Sequence, residues 1–425
     1  MKSFTRRQAL CGLTLFSSAR IMNTKAISSA VSNSDPPQDD VRFNDHLEPY
    51  PEGWLPEGIR SRFVENVNGL RMHVLEAGYE EKGKPGLLLL HGFPELAYSW
   101  RHVMLPLAEQ GFHVIAPDQR GYGRTTGWSD NYDADLSEFE PLNIVQDALS
   151  LTYAMGHKNL TVVGHDFGSP IAAWCAVTRP DVFTRVALMS APFRGTPTLP
   201  FNTADQTTEI SQSTYNLHSE LAKLSRPRKH YQLYYTTREA NENMWKATQG
   251  LTSFIRGYYH YKSADWKDNK PFKLTKAIAS EMAKMPTYYI MDYDKGMAQT
   301  VSEFMSSEKE IVANHWLDDL ALNVYVNEYT RTGFQGGLNW YRTFAFRSKG
   351  LRLFAGRKIH QPSIFIAGVS DWGIYQSPGA IESMAQNACI DFHGVHLISD
   401  AGHWVQQEQP KRTTELIIDF LDQTK

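Results

Sequence analysis

Two patterns of apolar and polar positions recur along most of this chain. From about residue 59, short continuous apolar runs such as "GLLLLHGFPE" and "NLTVVGHD" alternate with segments of helical period such as "WRHVMLPLAEQG" and "SPIAAWCAVTRP". Continuous apolar runs are typical of parallel strands covered on both faces, and the segments between them predict connecting helices. The pattern therefore predicts an α/β fold whose mostly parallel sheet is flanked by helices.

The alternation stops once and then resumes. Residues 195–358 are rich in Tyr, Trp, Met and Lys and contain predicted helices, including "KLTKAIASEMAKM" and "SSEKEIVANHWLDDLALNVYVNEY". Strand and helix patterns return in residues 359–425. We interpret residues 59–194 and 359–425 as two parts of one α/β domain that carries an inserted helical lid. Sites in such sheets form at the carboxyl ends of the strands.

The N-terminal residues follow neither pattern. Within residues 1–30, Arg6 and Arg7 directly precede an apolar run that is too short to span a bilayer. Paired arginines, an apolar run and the small residues of "AISSA" together resemble a twin-arginine export signal, although a basic, frayed terminus is the alternative. We expect a periplasmic or secreted protein, with a cytoplasmic location as the alternative, and an extended connector over residues 31–58.

Composition narrows the classes of partner. The 425 residues are 42% hydrophobic with a formal net charge of -3, which becomes -8 without residues 1–30 because these hold five basic and no acidic residues. Nothing in this balance indicates a nucleic-acid surface or a polybasic membrane patch, so we expect a small apolar molecule as partner. The sequence predicts no cofactor and no metal; His393 and His396 fall on opposite faces of a predicted strand.

The stretch "VVGHDFGSPIAAW" has the form of a nucleophile turn between a strand and a helix. Such a turn needs small residues because its strained backbone brings neighbouring chains close together, and Gly164, Gly168 and Ser169 surround Asp166 accordingly. An aspartate after a strand is also a common helix cap. Asp166 is therefore either a nucleophile or the cap of the next helix.

Two further strand ends carry the partners that a nucleophile needs. Asp371 follows "SIFIAG" and His403 follows "GVHLISDAG", so both are expected at the same sheet edge as Asp166. Their order of nucleophile, acid and histidine is that of hydrolases with this type of turn. Asp391 and Asp400 are rival acids on the strand that leads to the histidine.

The "HGFP" turn at the end of an early strand predicts an oxyanion hole. Backbone N–H groups of Phe93 and Phe167 would point at one oxygen if this turn lies beside the nucleophile turn. The alternative is a simple proline turn without a catalytic role.

Several motifs together carry a resemblance to a known family. "HGFPELAYSWR", "PDQRGYG", "GHDFGSPIAAW", "LNWYR" and "DAGHWVQQEQP" resemble the epoxide hydrolases of the α/β-hydrolase fold, in their soluble and microbial branch, from roughly Arg60 to the C-terminus. The resemblance implies Asp166 as nucleophile, His403 as the base that activates water, and Asp371 as the acid that orients His403. It also implies two lid tyrosines that bind the epoxide oxygen.

The lid tyrosines are assigned by motif. "LNWYR" nominates Tyr341, and "YQLYY" nominates Tyr231, with Tyr234 and Tyr235 as alternatives to it. The two motifs are farther apart than the family leads us to expect, and "YQLYY" lacks the usual Pro-Gly step after it. The residues expected around the substrate are His91, Pro94, Tyr235, Trp340 and Trp404.

The residue types suit ring opening of an epoxide. A carboxylate that attacks an sp³ carbon leaves an ester, whose carbonyl water can then attack, whereas a serine would leave a stable ether. A phenol with a pKa of about 10 stays neutral and donates a proton to the departing alkoxide. The chain has no G-x-S-x-G turn at this position, so a serine esterase is disfavoured.

Two other functions remain as alternatives. Haloalkane dehalogenases use the same aspartate but usually have Trp after the nucleophile and often Asn in the HG-x-P turn, where this chain has Phe167 and Phe93. A non-catalytic carrier of a small hydrophobic molecule is the second alternative, although binding alone does not need a nucleophile, an acid, a histidine and two tyrosines together.

Overall fold

The computed structural model describes residues 47–198, 216–345 and 349–425, so the predicted export signal and most of the predicted connector lie outside the described residues. The described strands are β1 (Arg60–Val67), β2 (Leu70–Ala77), β3 (Gly86–Leu90), β4 (His113–Pro117), β5 (Leu160–His165), β6 (Phe183–Met189), β7 (Arg228–His230), β8 (Ile290–Asp292), β9 (Ser363–Gly368) and β10 (Phe392–Ile398).

The described α-helices are α1 (Arg101–Glu109), α2 (Pro141–Ala154), α3 (Gly168–Thr178), α4 (Leu217–Ala222), α5 (Tyr231–Tyr235), α6 (Glu239–Trp245), α7 (Leu251–Lys262), α8 (Ala279–Met282), α9 (Met297–Ser302), α10 (Glu308–Ala313), α11 (Asp319–Thr332), α12 (Gln335–Ala345), α13 (Ala380–Ser383), α14 (Val405–Glu408) and α15 (Pro410–Gln423). Each helix in these ranges is too short or too polar to cross a bilayer.

One large sheet organises the molecule. Its eight strands lie in the order β1-β2-β4-β3-β5-β6-β9-β10, and all neighbours are parallel except β1 with β2 and β2 with β4. The residues of β3, β5 and β9 are all buried, as continuous apolar runs in a doubly covered sheet should be. The predicted mostly parallel sheet flanked by helices is confirmed.

The sequence pattern did not single out β1. This edge strand pairs only with β2 in the sheet and leaves six of its eight residues partly or fully exposed, so it lacks the apolar run of the central strands. Just before it, Tyr50 is buried, and its backbone N–H donates to Ser61 Oγ at 2.8 Å. Ser61 in turn contacts His73, which is paired with Asp118, so the end of the predicted connector packs against the sheet.

The block between β6 and β9 is mainly helical but less regular than predicted. Helices α4 to α12 lie there together with an antiparallel pair, β7 and β8, whose three-residue strands carry no recognisable sequence pattern. "KLTKAIASEMAKM" forms only the short helix α8, so the longer helix predicted there was wrong. The second predicted helix is broken between α10 and α11, where the Asp318 side chain accepts the Ala321 N–H and starts a new helix.

Polar contacts attach this helical insertion to the strand ends of the sheet. Trp340 Nε1–H donates to the Arg120 carbonyl at 2.9 Å, and the Tyr259 hydroxyl donates to the Pro94 carbonyl at 3.2 Å. The Arg124 guanidinium lies 2.8 Å from the buried carboxylate of Glu328. The insertion therefore covers the carboxyl ends of the parallel strands, where the predicted site residues lie.

Candidate active site

Asp166 sits on a sharp turn between β5 and α3. Its φ of +50° lies in the left-handed region that is uncommon for residues other than glycine. A Cβ on Gly168 would lie 2.2 Å from the Leu90 carbonyl oxygen, and a Cβ on Gly92 would lie 2.4 Å from Asp166. Only glycine fits at these two positions, because the strand ends approach each other that closely.

The Asp166 carboxylate faces the sheet edge and makes no capping bond to α3. Its Oδ1 accepts the backbone N–H of Phe93 at 2.9 Å, and its Oδ2 lies 3.1 Å from His403 Nε2. The helix-cap alternative does not describe this geometry. One oxygen of the carboxylate is held by the turn predicted to form the oxyanion hole, and the other is directed at the predicted base.

The loops after β9 and β10 complete the constellation. His403 Nδ1 lies 3.1 Å from Asp371 Oδ1, which also accepts the Gly373 N–H at 2.6 Å. The rival acids are not the ones paired with His403: the Asp391 carboxylate pairs with His393 at 3.2 Å, and the carboxylates within 4.0 Å of the His403 ring among the described residues are those of Asp166 and Asp371. The three strand ends thus bring together the residues that the sequence predicted.

The charges of His403, Asp166 and Asp371 shift one another's pKa values. Burial and the charge of Lys262 lower the pKa of His403, but the charge of Asp371 and the hydrogen bonds to Asp166 and Asp371 outweigh both and raise the pKa to about 9. The same contacts hold the pKa of Asp166 well below its usual range, although burial alone would raise it. At neutral pH the free site therefore holds an ionised Asp166 beside a protonated His403.

Two buried tyrosines of the insertion face the carboxylate. The ring of Tyr341 packs edge-on against Phe167 and Phe93, with centroids 4.6 and 5.5 Å apart, and lies 5.9 Å from the ring of Tyr231. Burial and the negative charge of Asp166 both raise the pKa of each tyrosine well above 10, while a side-chain hydrogen bond with Tyr341 acts in the opposite direction on Tyr231. Both phenols are neutral donors at working pH.

The alternatives to Tyr231 are engaged elsewhere. The Tyr235 hydroxyl donates to Tyr258 at 3.2 Å, and the ring of Tyr234 lies under the ammonium of Lys229 at 4.6 Å. The charge of Asp166 raises the pKa of Tyr231, whereas neighbouring tyrosines act on that of Tyr235, although the ring of Tyr235 lies 5.0 Å from that of Tyr341. The coupling of Tyr231 to Asp166 therefore favours Tyr231 as the partner of Tyr341.

The other residues predicted around the substrate are buried at the base of the site. His91 is bonded through both ring nitrogens, to the Gly92 carbonyl and the Gln119 N–H, so its polar atoms hold the turn. The indole N–H of Trp404 donates to the Tyr259 carbonyl at 2.8 Å, and the indole N–H of Trp340 donates to the Arg120 carbonyl. Contact of substrate with these rings, with Tyr235 or with Pro94 stays a prediction.

The sequence of this chain was compared with those of known protein families and proteins. Residues 85–410 match the model of the alpha/beta hydrolase fold. Epoxide hydrolase B of Mycobacterium tuberculosis is 30% identical over 367 residues, which cover 84% of this chain and 97% of that protein. Epoxide hydrolase A of the same organism is 29% identical, with coverage of 86% and 98%.

This chain belongs to the epoxide hydrolases of the α/β-hydrolase fold. Solved structures agree with that assignment. An epoxide hydrolase from an endophytic Streptomyces superposes with a TM-score of 0.68 at 29% identity, covering 86% of this chain and 96% of the other. Potato (Solanum tuberosum) epoxide hydrolase I gives a TM-score of 0.65 at 29% identity, with coverage of 86% and 99%.

Sequence reasoning missed four titratable residues of this epoxide hydrolase that lie beside the predicted catalytic residues. His165 Nδ1 lies 2.6 Å from Glu95 Oε2, and its Nε2 lies 2.7 Å from the carbonyl oxygen of His403. Glu408 accepts N–H groups from the loop that carries His403, and Lys262 is buried close to the catalytic carboxylates. His165 and Glu95 adjoin recognised motifs and could have been noticed, whereas nothing local marks Lys262.

No group of three or more metal-binding side chains occurs within residues 47–198, 216–345 and 349–425. The side chains of the site provide a nucleophile, a base and proton donors. This set is sufficient for displacement at carbon followed by hydrolysis of an ester.

Proposed function

We propose that this protein is an epoxide hydrolase that converts an epoxide and water into a vicinal diol through a covalent ester on Asp166. The observation that carries the proposal is the grouping of the Asp166 carboxylate, which lies 3.1 Å from His403 Nε2, with two buried tyrosines of the insertion whose pKa its charge raises. A nucleophile, a base and two proton donors around one point match both halves of this reaction.

The first half-reaction is alkylation. Asp166 Oδ2 attacks an epoxide carbon, the C–O bond of the ring breaks, and the oxygen leaves with the electron pair while a tyrosine hydroxyl gives it a proton. Neutral Tyr231 and Tyr341 suit this role, because their pKa values are raised by burial beside an anion. Holding the ring against both groups supplies the orientation that a bimolecular reaction in water lacks.

The second half-reaction is hydrolysis of the ester. Unprotonated His403 accepts a proton from water through Nε2, and the hydroxide attacks the ester carbonyl. The negative charge then develops on Oδ1, to which the Phe93 N–H already donates at 2.9 Å. When this intermediate collapses, the Cγ–Oδ2 bond breaks, the diol leaves with Oδ2 and a proton from His403, and the proton of the new carboxyl group returns to His403. Asp371 orients the ring through Nδ1. The predicted second donor, the Phe167 N–H, completes the oxyanion hole in this proposal.

The decisive experiment is intact-mass spectrometry of His403→Gln after incubation with epoxides and haloalkanes. Loss of the base should stop the second half-reaction and leave the first, so a covalent adduct equal to the mass of the whole epoxide is expected. The double variant His403→Gln/Asp166→Asn is the matched control and should form no adduct.

Each other result identifies a different function. An adduct equal to the haloalkane without its halogen would show a dehalogenase. Tight stoichiometric binding of an epoxide to the wild-type protein, without adduct or diol, would show a carrier and contradict the proposal.

We further propose that the protein is exported through the twin-arginine route, on the basis of Arg6, Arg7 and the short apolar run that follows. Expression of the full chain in a bacterium with this route should give a shortened protein in the periplasm. Arg6→Lys/Arg7→Lys should keep the full-length protein in the cytoplasm. Equal processing of both forms would contradict export by this route.

A further inference from the structure

Lys262 is a buried cation that the mechanism above does not use. It is the last residue of α7 and is only 3% exposed. Its Nζ lies 5.0, 5.3 and 5.4 Å from the ring centroids of Tyr289, Trp404 and Tyr258. Within the described residues, its ammonium forms no hydrogen bond and has no carboxylate within 4.0 Å. Three aromatic faces stabilise a cation, but they fill none of its three N–H donors.

The ammonium is close enough to act on the reacting groups. Burial lowers the pKa of Lys262, while the charges of Asp166, Asp371 and Glu95 raise it, in that order of strength. The positive charge of Lys262 in turn lowers the pKa of Asp166 and, as the second cause after burial, that of His403.

Hydrogen bonds hold together the two segments that carry the ammonium and the base. The N–H of His403 donates to the Lys262 carbonyl at 3.0 Å. Glu408 accepts the N–H groups of Gly402 and Ala264 at 2.8 Å and of Trp404 at 2.9 Å, so one carboxylate binds both segments. Lys262 and His403 are therefore neighbours that cannot drift apart without breaking charge-assisted hydrogen bonds.

The charge around His403 changes during the reaction. In the free site the anionic Asp166 favours the protonated form of His403. When Oδ2 bonds to carbon, that negative charge is lost, and the proton of His403 is available to replace the one that a tyrosine gives to the alkoxide. Lys262 takes no part in the bonds that form and break, and the charge of Asp371 and the rings of Tyr289, Trp404 and Tyr258 still stabilise its ammonium. The charged or titratable groups that then face His403 are Lys262 of the insertion, Asp371 after β9, and His165 with Glu95 behind it.

We propose that Lys262 is a positioning residue for the second half-reaction, whose fixed positive charge keeps His403 unprotonated while the ester is present, so that His403 accepts a proton from water. The inference rests on the proposed ester mechanism. Asp371 alone would hold a proton on His403 once the ester has formed, and Lys262 opposes that effect through space without touching the substrate.

The first test measures the protonation of His403 without turnover. Asp166→Asn removes the nucleophile's charge as ester formation does, and ¹⁵N-histidine NMR against pH gives the pKa of His403, assigned by comparison with His403→Gln. Adding Lys262→Met should raise this pKa by at least about one unit, because one unit corresponds to a modest charge interaction at short range. Lys262→Arg should leave it close to the value in Asp166→Asn alone.

The second test follows the two half-reactions by rapid quenching and mass spectrometry. In Lys262→Met, the pH below which ester hydrolysis fails should rise, with hydrolysis slowed about tenfold at pH 7 and alkylation changed much less. Lys262→Arg should restore the profile, and Lys270→Met, which removes an exposed lysine of the same segment, should match the wild type. If the methionine variant does not fold, Lys262→Gln replaces it.

Two outcomes would overturn the inference. One is an unchanged pKa of His403 when Lys262 loses its charge. The other is an equal slowing of both half-reactions that arginine does not rescue, which would mark Lys262 as a packing residue. Failure of the proposed function is read differently, as the absence of an ester from every epoxide in His403→Gln, whatever the NMR titration gives.

Discussion

At the scale of single residues, the identity of the nucleophile determines the chemistry. An aspartate can form an ester with an alkyl carbon, and the ester keeps a carbonyl that the Phe93 N–H already contacts through Oδ1. Opposite this carboxylate, the hydroxyls of Tyr231 and Tyr341 stay neutral because burial beside an anion disfavours the phenolate. At working pH the carboxylate is therefore ionised and the two phenols are neutral, which are the protonation states that ring opening needs.

The tyrosine pair gives the first prediction. Tyr231→Phe and Tyr341→Phe should each slow alkylation by about 10²-fold, the usual contribution of a positioned acid, and the double variant should slow it further. Alkylation is measured from the rate of ester formation in a single turnover. Tyr234→Phe is the matched control, because its ring is directed at Lys229. An impaired Tyr234→Phe beside a normal Tyr231→Phe would contradict this assignment.

At the scale of elements, the site is built from the ends of strands and held by the loops between them. Asp166 follows β5, Asp371 follows β9 and His403 follows β10, and parallel strands place these ends at one edge. Glu408 in α14 holds the loop that carries His403, because it accepts hydrogen bonds from three backbone N–H groups. Burial raises the pKa of Glu408 to about 7 in spite of these donors.

Glu408 gives the second prediction. Glu408→Gln should destabilise the protein by about 1–3 kcal/mol and lower kcat, because an amide leaves part of the buried N–H donors unsatisfied. In the wild type, Glu408 takes up a proton as the pH falls below about 7, which should lower kcat because one acceptor oxygen is lost, while the raised pKa makes the same proton uptake favourable to the free energy of folding. Denaturant unfolding and the pH profile of kcat check both effects. Glu415→Gln, in α15, is the control and should change neither the stability nor kcat. Wild-type stability and kcat in Glu408→Gln would show that the hydrogen bonds of Glu408 are not needed to hold the loop.

At the scale of the whole molecule, burial of the catalytic charges links stability to pH. The pKa of His403 is raised from 6.5 to about 9 in the folded state. A group of this kind contributes stability that is fully present below the unfolded pKa of 6.5 and is lost as the pH rises through 9.

This linkage gives the third prediction. Between pH 6.5 and 9, the wild type should lose on the order of 1–3 kcal/mol more of its free energy of unfolding than His403→Gln loses. Urea unfolding at a series of pH values measures the difference. His315→Gln removes an exposed histidine of the insertion and should follow the wild type. Parallel curves for wild type and His403→Gln would show that the pair does not stabilise the fold.

The sequence by itself determined the mostly parallel sheet, and it predicted the three residues at strand ends that the structure brings together. Both follow from local requirements. A strand buried on both faces needs a continuous apolar run, and the strained turn at Asp166 needs glycines beside it. The motif "LNWYR" likewise nominated Tyr341 from the sequence alone.

Only the tertiary structure decided the features that depend on contacts between distant segments. It separated Tyr231 from Tyr234 and Tyr235 through the side chains that each one meets. It broke the predicted long helices of the insertion and paired the short strands β7 and β8. It also placed Lys262 beside His403, across a separation in sequence that no local pattern encodes. A buried charge is defined by its neighbours in space, and these are set when the insertion packs onto the sheet.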